Sequence, residues 1–286
     1  MGVSRSPVQR VFTDQDMAHE PFLTLACGRV AVYSARCPDR DGANEDAASV
    51  LAIDSERGVL AVADGVGGQA GGENAAEIAL RCLKQAVTRT QRSETSLRGA
   101  ILDACESANH AVMDLGIGAA TTLAIAEIAG PTLRPYHVGD SAILVVGQRG
   151  KVKLQTISHS PVGYAVESGL IAEHEAMHHD ERHLISNAVG APDMRIEIGS
   201  PLRLAPRDTV LLATDGLFDN LAIGEIVDAI RTKPLSVVAE HLAGRVGERM
   251  REPAEGEPSK PDDVTFILFR LATPSRGASR PQDGAQ

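Results

Sequence analysis

Apolar residues follow two rhythms along this chain of 286 residues. Short runs rich in Val, Ile, Leu and Ala occupy 28–34, 47–53, 58–63, 121–128, 132–138, 142–147, 151–156, 195–199, 208–214 and 264–270, and Gly, Pro, Asp and Asn separate them. Each predicts a strand. Two longer segments, 73–91 and 96–115, repeat apolar residues every three or four positions and predict helices. A second helical pair lies at 223–231 and 234–251, the latter opened by Pro234. Strands come in consecutive runs and helices in pairs, without regular alternation. That pattern predicts an α+β class with antiparallel sheet covered by helix pairs. Residues 1–21 are polar without periodicity and read as a flexible arm, and the Pro/Gly/Ser/Arg-rich stretch 273–286 reads as a disordered tail. No linker interrupts 22–272, which is expected to be one domain; the segment 251–263 reads as a surface loop leading into the last strand.

Acidic residues recur where these strands begin or end. Asp64 closes one apolar run and precedes five glycines, Gly65, Gly67, Gly68, Gly71 and Gly72. Asp215 closes another and is followed by Gly216, and Asp140 sits in a turn between two strands. Glu45 and Asp46 open one strand, and Asp262 and Asp263 open the last. A single Asp-Gly after a strand is ordinary turn chemistry. Five such groups meeting in one cleft would repel one another unless cations neutralised them. Ligation by oxygen without Cys or His selects hard ions, Mg²⁺ or Mn²⁺. Glycine after Asp64 lets the backbone approach such an ion, so that the Gly65 carbonyl can serve as a ligand.

The formal net charge of −10 argues against a nucleic-acid or anionic-membrane surface and favours a chain that concentrates cations. With 43% hydrophobic residues but only 3% aromatic ones and no Trp, the core must be built from aliphatic side chains. The cysteines at 27, 37, 82 and 105 form no CxxC pair, which excludes a zinc knuckle or dithiol motif and suits reduced, mostly buried thiols in a cytoplasmic protein. No run reaches the ~18 apolar residues of a membrane span, and 22–32 lacks the basic flank of a signal peptide. A monomer is the default expectation.

The ordered set NED (44–46), DGVGG (64–68), ATTL (120–123), GDS (139–141), TDGLFDN (214–220) and DDVT (262–265) resembles the type 2C metal-dependent serine/threonine protein phosphatases of bacteria, over roughly 28–270. The resemblance implies a four-layer α-β-β-α sandwich with a metal cleft at one edge. It implies that Asp64 bridges two Mn²⁺ or Mg²⁺ ions and that Gly65 offers its carbonyl. Asp215 and Asp262 complete the second ion, Glu45 and Asp46 hold metal-bound waters, and Asp140 with Asp215 binds a third, weaker metal. Two metals about 3.5–4 Å apart would deprotonate a water that attacks phosphorus in line, with no covalent enzyme intermediate. The implied partners are phosphoproteins, marked by a cognate Ser/Thr kinase.

The chain departs from the family pattern in several places. Asp41 stands where the family has its phosphate-binding Arg; neighbouring Arg40 is the expected substitute and Arg36 the fallback. Val66 replaces a His found in some relatives, Ala120 and Ala142 replace Gly and Arg, and Asp263 replaces an Asn, which leaves Asp262 and Asp263 as rival ligands. The altered positions also admit a catalytically weak interaction domain. Residues 158–190 resemble the family's flap, and its His174, His178, His179 and His183 read as a solvated surface. Two short motifs compete: HEAMH (174–178) satisfies the zinc-protease HExxH, with no third ligand in sight, and GVGGQA (65–70) satisfies a dinucleotide fingerprint, but the expected acidic position falls inside a helical pattern.

Overall fold

A computed structural model describes residues 8–16, 20–38, 40–66, 71–91 and 95–272. The strands are β1 (Gln9–Thr13), β2 (Glu20–Leu25), β3 (Gly28–Ala35), β4 (Asp46–Ala52), β5 (Arg57–Val66), β6 (Ala120–Thr121), β7 (Leu123–Ala129), β8 (Thr132–Val138), β9 (Ala142–Val146), β10 (Val152–Gln155), β11 (Glu197–Ile198), β12 (Leu202–Arg203), β13 (Thr209–Ala213) and β14 (Val264–Leu271). The helices are α1 (Gly72–Thr90), α2 (Leu97–Met113), α3 (Pro161–Glu167), α4 (Glu173–Ala176), α5 (Asp215–Phe218), α6 (Ile223–Ile230) and α7 (Leu235–Arg251). One sheet runs β1-β4-β5-β7-β8-β11, with β6 on β5 and β12 on β8; the other runs β10-β9-β13-β14-β3-β2. Every pairing is antiparallel.

Three apolar clusters separate four layers, as the α+β sandwich requires. Along β5, Val59, Ala61 and Ala63 point into a cluster with α1 and α2, while Leu60 and Val62 point into a cluster shared with the second sheet. This two-residue alternation explains why the strand is apolar at every position: both faces are buried. The second sheet repeats the logic. Val210 and Leu212 of β13 face the first sheet, and Leu211 and Ala213 face α6 and α7. Helix α1 matches the predicted segment within a residue and lays Ala75, Ala79, Leu80, Leu83 and Val87 on the first sheet. Helix α2 starts at an N-cap, Ser96, whose hydroxyl accepts from Gly99 N–H at 3.1 Å.

The expected arm at 1–21 is corrected where it can be described. Residues 9–13 form β1 on the edge of the first sheet, in register from Gln9↔Leu51 to Thr13↔Ala47. Its two adjacent apolar residues face opposite ways, Val11 toward the helix-side cluster and Phe12 into the inter-sheet core. Two neighbours on opposite faces generate no visible period, which is why the strand is silent in the sequence. The expected tail, 273–286, and Gly67 and Gly68 lie outside the described residues. None of the four cysteines forms a disulfide; Cys37 and Cys105 are buried, Cys27 and Cys82 partly so. Among the described residues no helix is long and apolar enough to cross a membrane.

Candidate metal centre

The register of β4 on β5 places Asp46 directly opposite Asp64, which brings cross-strand side chains within about 5 Å at the Cβ atoms. Asp46 is buried and its Oδ2 accepts the Thr214 hydroxyl at 2.8 Å. Thr214 is the N-cap of α5, whose first residue is Asp215. The next link is Lys260: its Nζ lies 2.5 Å from Asp215 Oδ2, 2.8 Å from Asp219 Oδ2 and 3.2 Å from Asp262 Oδ2. The cluster thus draws on the ends of both sheets. Asp140, in the β8–β9 turn, and Asp64 both feel the charge of Asp215. Glu45 joins through its backbone carbonyl, which accepts from Gly65 N–H at 3.1 Å.

The motifs found in the sequence turn out to be a scaffold for these carboxylates. Thr122 N–H and the Thr121 hydroxyl both donate to the Asp64 carbonyl at 2.8 Å, and Thr122 Oγ1 accepts Asp64 N–H at 3.0 Å. The same hydroxyl meets Ser141 Oγ at 2.6 Å, tying the Asp64 strand to the Asp140 turn. Gly139 has φ +97°, and a Cβ there would lie 2.7 Å from Thr122. At the other close approach, a Cβ on Gly65 would sit 2.3 Å from the Gly72 backbone and one on Gly72 would sit 2.8 Å from the Gly65 carbonyl oxygen. Glycine at both positions therefore lets α1 start directly against the end of β5. Buried Asn44 accepts Asp46 N–H at 2.9 Å and donates to Gln15 O at 2.7 Å, fixing the turn into β4.

Asp262 and Asp263 differ in their partners. Asp263 accepts Cys37 N–H at 2.7 Å through one oxygen and Glu45 N–H at 2.8 Å through the other. It is a backbone clamp on Cys37 and Glu45 whose charge also bears on Asp46, whereas Asp262 faces Lys260 beside Asp215. Arg40 sits on the rim of the cluster, 3.2 Å from Glu45 Oε2. Arg36 is engaged elsewhere, on Asp16 at 3.0 Å and on the Gly42 carbonyl at 3.1 Å.

Crowding of like charges in a partly dry cleft has the expected electrostatic consequence. Burial, then the Asp215 and Asp219 charges, push Asp140 up to about 8, against the pull of Lys260. Burial and Asp215 likewise raise Asp262 to about 6. Asp64 and Asp46 are held well above the usual carboxylate range, by burial first and then by Asp215 and Asp263 respectively. Burial would depress the Lys260 ammonium, but Asp215, Asp219 and Asp262 overcome it and hold it above its ordinary value. Carboxylates this crowded are a site for positive charge, and the all-oxygen donor set suits Mg²⁺ or Mn²⁺.

Asp219 and Lys260 were not among the residues singled out from the sequence. For Asp219 a signal existed: it lies four positions after Asp215, hence one helical turn away on the same face. Lys260 carried none, because its loop is positioned entirely by distant residues. Asn220 donates to the Lys260 carbonyl at 2.8 Å and accepts Lys260 N–H at 2.8 Å, and buried Arg249 reaches the Pro258 carbonyl and Glu257.

The zinc-protease pattern is not realised. Helix α4 ends at Ala176, so His178 lies beyond it, and the Glu175 carboxylate accepts Ala172 N–H at 2.8 Å. His174, His178, His179 and His183 are all exposed. A different trio, His137, His159 and Glu197, offers ligand atoms within 4.8 Å of one another. Yet His159 Nδ1 accepts from Gly139 N–H at 3.1 Å and Asn187 Nδ2 at 2.8 Å, so this network assigns the proton to Nε2, which meets Glu197 at 3.2 Å. The trio is a brace that holds the Asp140 turn against the start of the flap.

Comparison with known proteins agrees with this arrangement. The family described as Protein phosphatase 2C matches residues 35–245. A serine/threonine phosphatase of Listeria welshimeri is 30% identical over 200 residues, covering 66% of this chain and 78% of the relative. The solved serine/threonine phosphatase of S. agalactiae superposes with a TM-score of 0.73 at 26% identity, over 85% of this chain and 99% of that one. The catalytic domain of the phosphatase PstP in complex with two manganese ions gives a TM-score of 0.65 at 27% identity, over 86% and 99%. With the ordered motifs, the two-sheet sandwich and the carboxylate cleft in agreement, the chain belongs to the protein phosphatase 2C family, among its bacterial serine/threonine phosphatases.

Proposed function

We propose that the chain hydrolyses phosphoserine and phosphothreonine on proteins, using divalent cations held by Asp64, the Gly65 carbonyl, Asp215 and Asp262, with Asp140 and Asp215 serving a third ion. The observation that carries this reading is the convergence of Asp46, Asp64, Asp140, Asp215 and Asp262 from five strand ends of two sheets. The presence of manganese in the PstP neighbour supports Mn²⁺ as the first ion to try. Bound there, two such ions would supply a water acidic enough to lose its proton near neutral pH.

The chain's own residues do the rest. Asp46 and Glu45 orient water through carboxylate oxygens, and Thr214 fixes the Asp46 rotamer. Arg40, on the rim beside Glu45, offers a forked guanidinium to the phosphoryl oxygens and takes the role that Asp41 cannot. The flap covers one side of the cleft, where a pocket of about 430 Å³ lined by Asp140, Ile157, Val162, Val166, Met177 and Phe218 would receive the residues flanking the phosphorylated side chain. A cognate Ser/Thr kinase, a cytoplasmic location and a monomeric state complete the proposal. The test is release of phosphate from a phosphothreonine peptide and from p-nitrophenyl phosphate, with Mn²⁺ and with chelator, by the wild type and Asp215→Ala. Mn²⁺-dependent turnover lost in Asp215→Ala is expected; no turnover by the wild type with any divalent ion would reduce the chain to an interaction domain.

A further inference from the structure

Lys260 is the feature that the phosphatase reading leaves unused. Its ammonium sits among Asp215, Asp219 and Asp262 at 2.5, 2.8 and 3.2 Å, on oxygens of two proposed metal ligands. The backbone beneath it is anchored by Asn220 at both the N–H and the carbonyl of Lys260, and Ser259 Oγ donates to the Arg249 carbonyl at 3.0 Å. Loop movement therefore cannot remove the charge; only the four-carbon stem can. Next to it lies a pocket of about 490 Å³ that Lys260 also lines, with Asp180 and Glu257 on its wall. Asp180 gives the ammonium somewhere to go, whereas Glu257 is already held by Arg249 at 2.9 Å and Arg182 lines the same wall.

We propose that Lys260 is a built-in competitor of the divalent cation: its ammonium and the metal contend for the same oxygens of Asp215 and Asp262, and metal entry requires the lysine side chain to swing into the adjoining pocket. The inference rests on the metal-phosphatase reading. Its consequence is a weaker apparent affinity for metal. If the ammonium holds the cleft about nine-tenths of the time, only about a tenth of the molecules are competent, and the apparent metal affinity drops about tenfold. The device makes the enzyme's activity follow the free Mn²⁺ concentration instead of being saturated by it.

The experiment is calorimetric titration of Mn²⁺ into the metal-stripped full chain, for the wild type, Lys260→Met and Lys260→Arg. Lys260→Met is expected to bind about tenfold tighter than the wild type, and Lys260→Arg, which keeps the charge, within about threefold of it. Equal or weaker binding by a folded Lys260→Met overturns the proposal while leaving the metal reading intact. No binding by any of the three proteins overturns both. Should Lys260→Met fail to fold, a second measurement uses the wild type: the ¹⁵Nζ resonance of Lys260, assigned by its loss in Lys260→Arg, is followed during Mg²⁺ titration. A shift that tracks metal saturation supports competition; a resonance indifferent to Mg²⁺ refutes it.

Discussion

Asp46 and Asp64 face each other across two hydrogen-bonded strands, a like-charge pairing that is unfavourable unless positive charge nearby offsets it. Replacing Asp64 or Asp215 by Asn keeps the volume and removes a ligand charge, so phosphatase turnover should fall on the order of 10³-fold. Steady-state kinetics at saturating Mn²⁺ checks this, with circular dichroism to confirm folding. Arg40→Ala removes a charge-assisted contact of roughly 1.5–3 kcal/mol, so kcat/KM should drop by one to two orders of magnitude. An unchanged value would return the role to Arg36. The titrating carboxylates make a further prediction for the chelated protein. Asp262 near 6 and Asp140 near 8 lie above their ordinary value of 3.8, so the folded state favours their protonated forms. The stability they contribute is complete below pH ~4 and is lost as pH rises through about 6 and then 8. Lys260, raised, stays charged over this window and does not alter the sign. In EDTA, Asp140→Asn should therefore gain on the wild type as pH rises from 5 to 8.5, by up to a few kcal/mol in urea unfolding.

The elements were largely legible because both sheets are buried on both faces, and long aliphatic runs such as β5 and β13 announce themselves. Helices α1 and α2 were equally plain, since only one face of each meets the sheet. Edge elements escaped: β1 has only two core residues, and β12 is two residues long. At the site the carboxylates that cluster could be named from motif order, but the partners that hold them could not. Asp263 as a clamp on Cys37 and Glu45, and His159 as a brace on Gly139, span 226 and 20 residues respectively and leave no local trace. The close contacts between elements can be tested directly. A Cβ on Gly216 would fall 1.9 Å from the Asp263 carbonyl oxygen, where backbone stands on both sides. Gly216→Ala should cost at least about 3 kcal/mol and disorder the Asp215 turn, whereas Ser96→Ala at the α2 cap should cost only about 1 kcal/mol. Equilibrium unfolding separates the two.

For the molecule as a whole, a net charge of −10 concentrated partly in one cleft means that divalent cations should stabilise the fold as well as drive the chemistry. Mn²⁺ at a hundred times its dissociation constant should add about 2.7 kcal/mol per site, visible as a rise in melting temperature that EDTA reverses and that Asp215→Ala abolishes.

The placing of β14 has its own outcome. It is the latest strand in the chain among those described, yet it lies in the middle of its sheet, hydrogen-bonded to β13 on one side and β3 on the other. Until it threads into that slot, β3 and β13 each lack a hydrogen-bonded partner on one side, and Asp262 is not delivered to the cleft. A nascent polypeptide would thus acquire its hydrolytic power only after residues 262–271 have left the ribosome and the second sheet has closed around them.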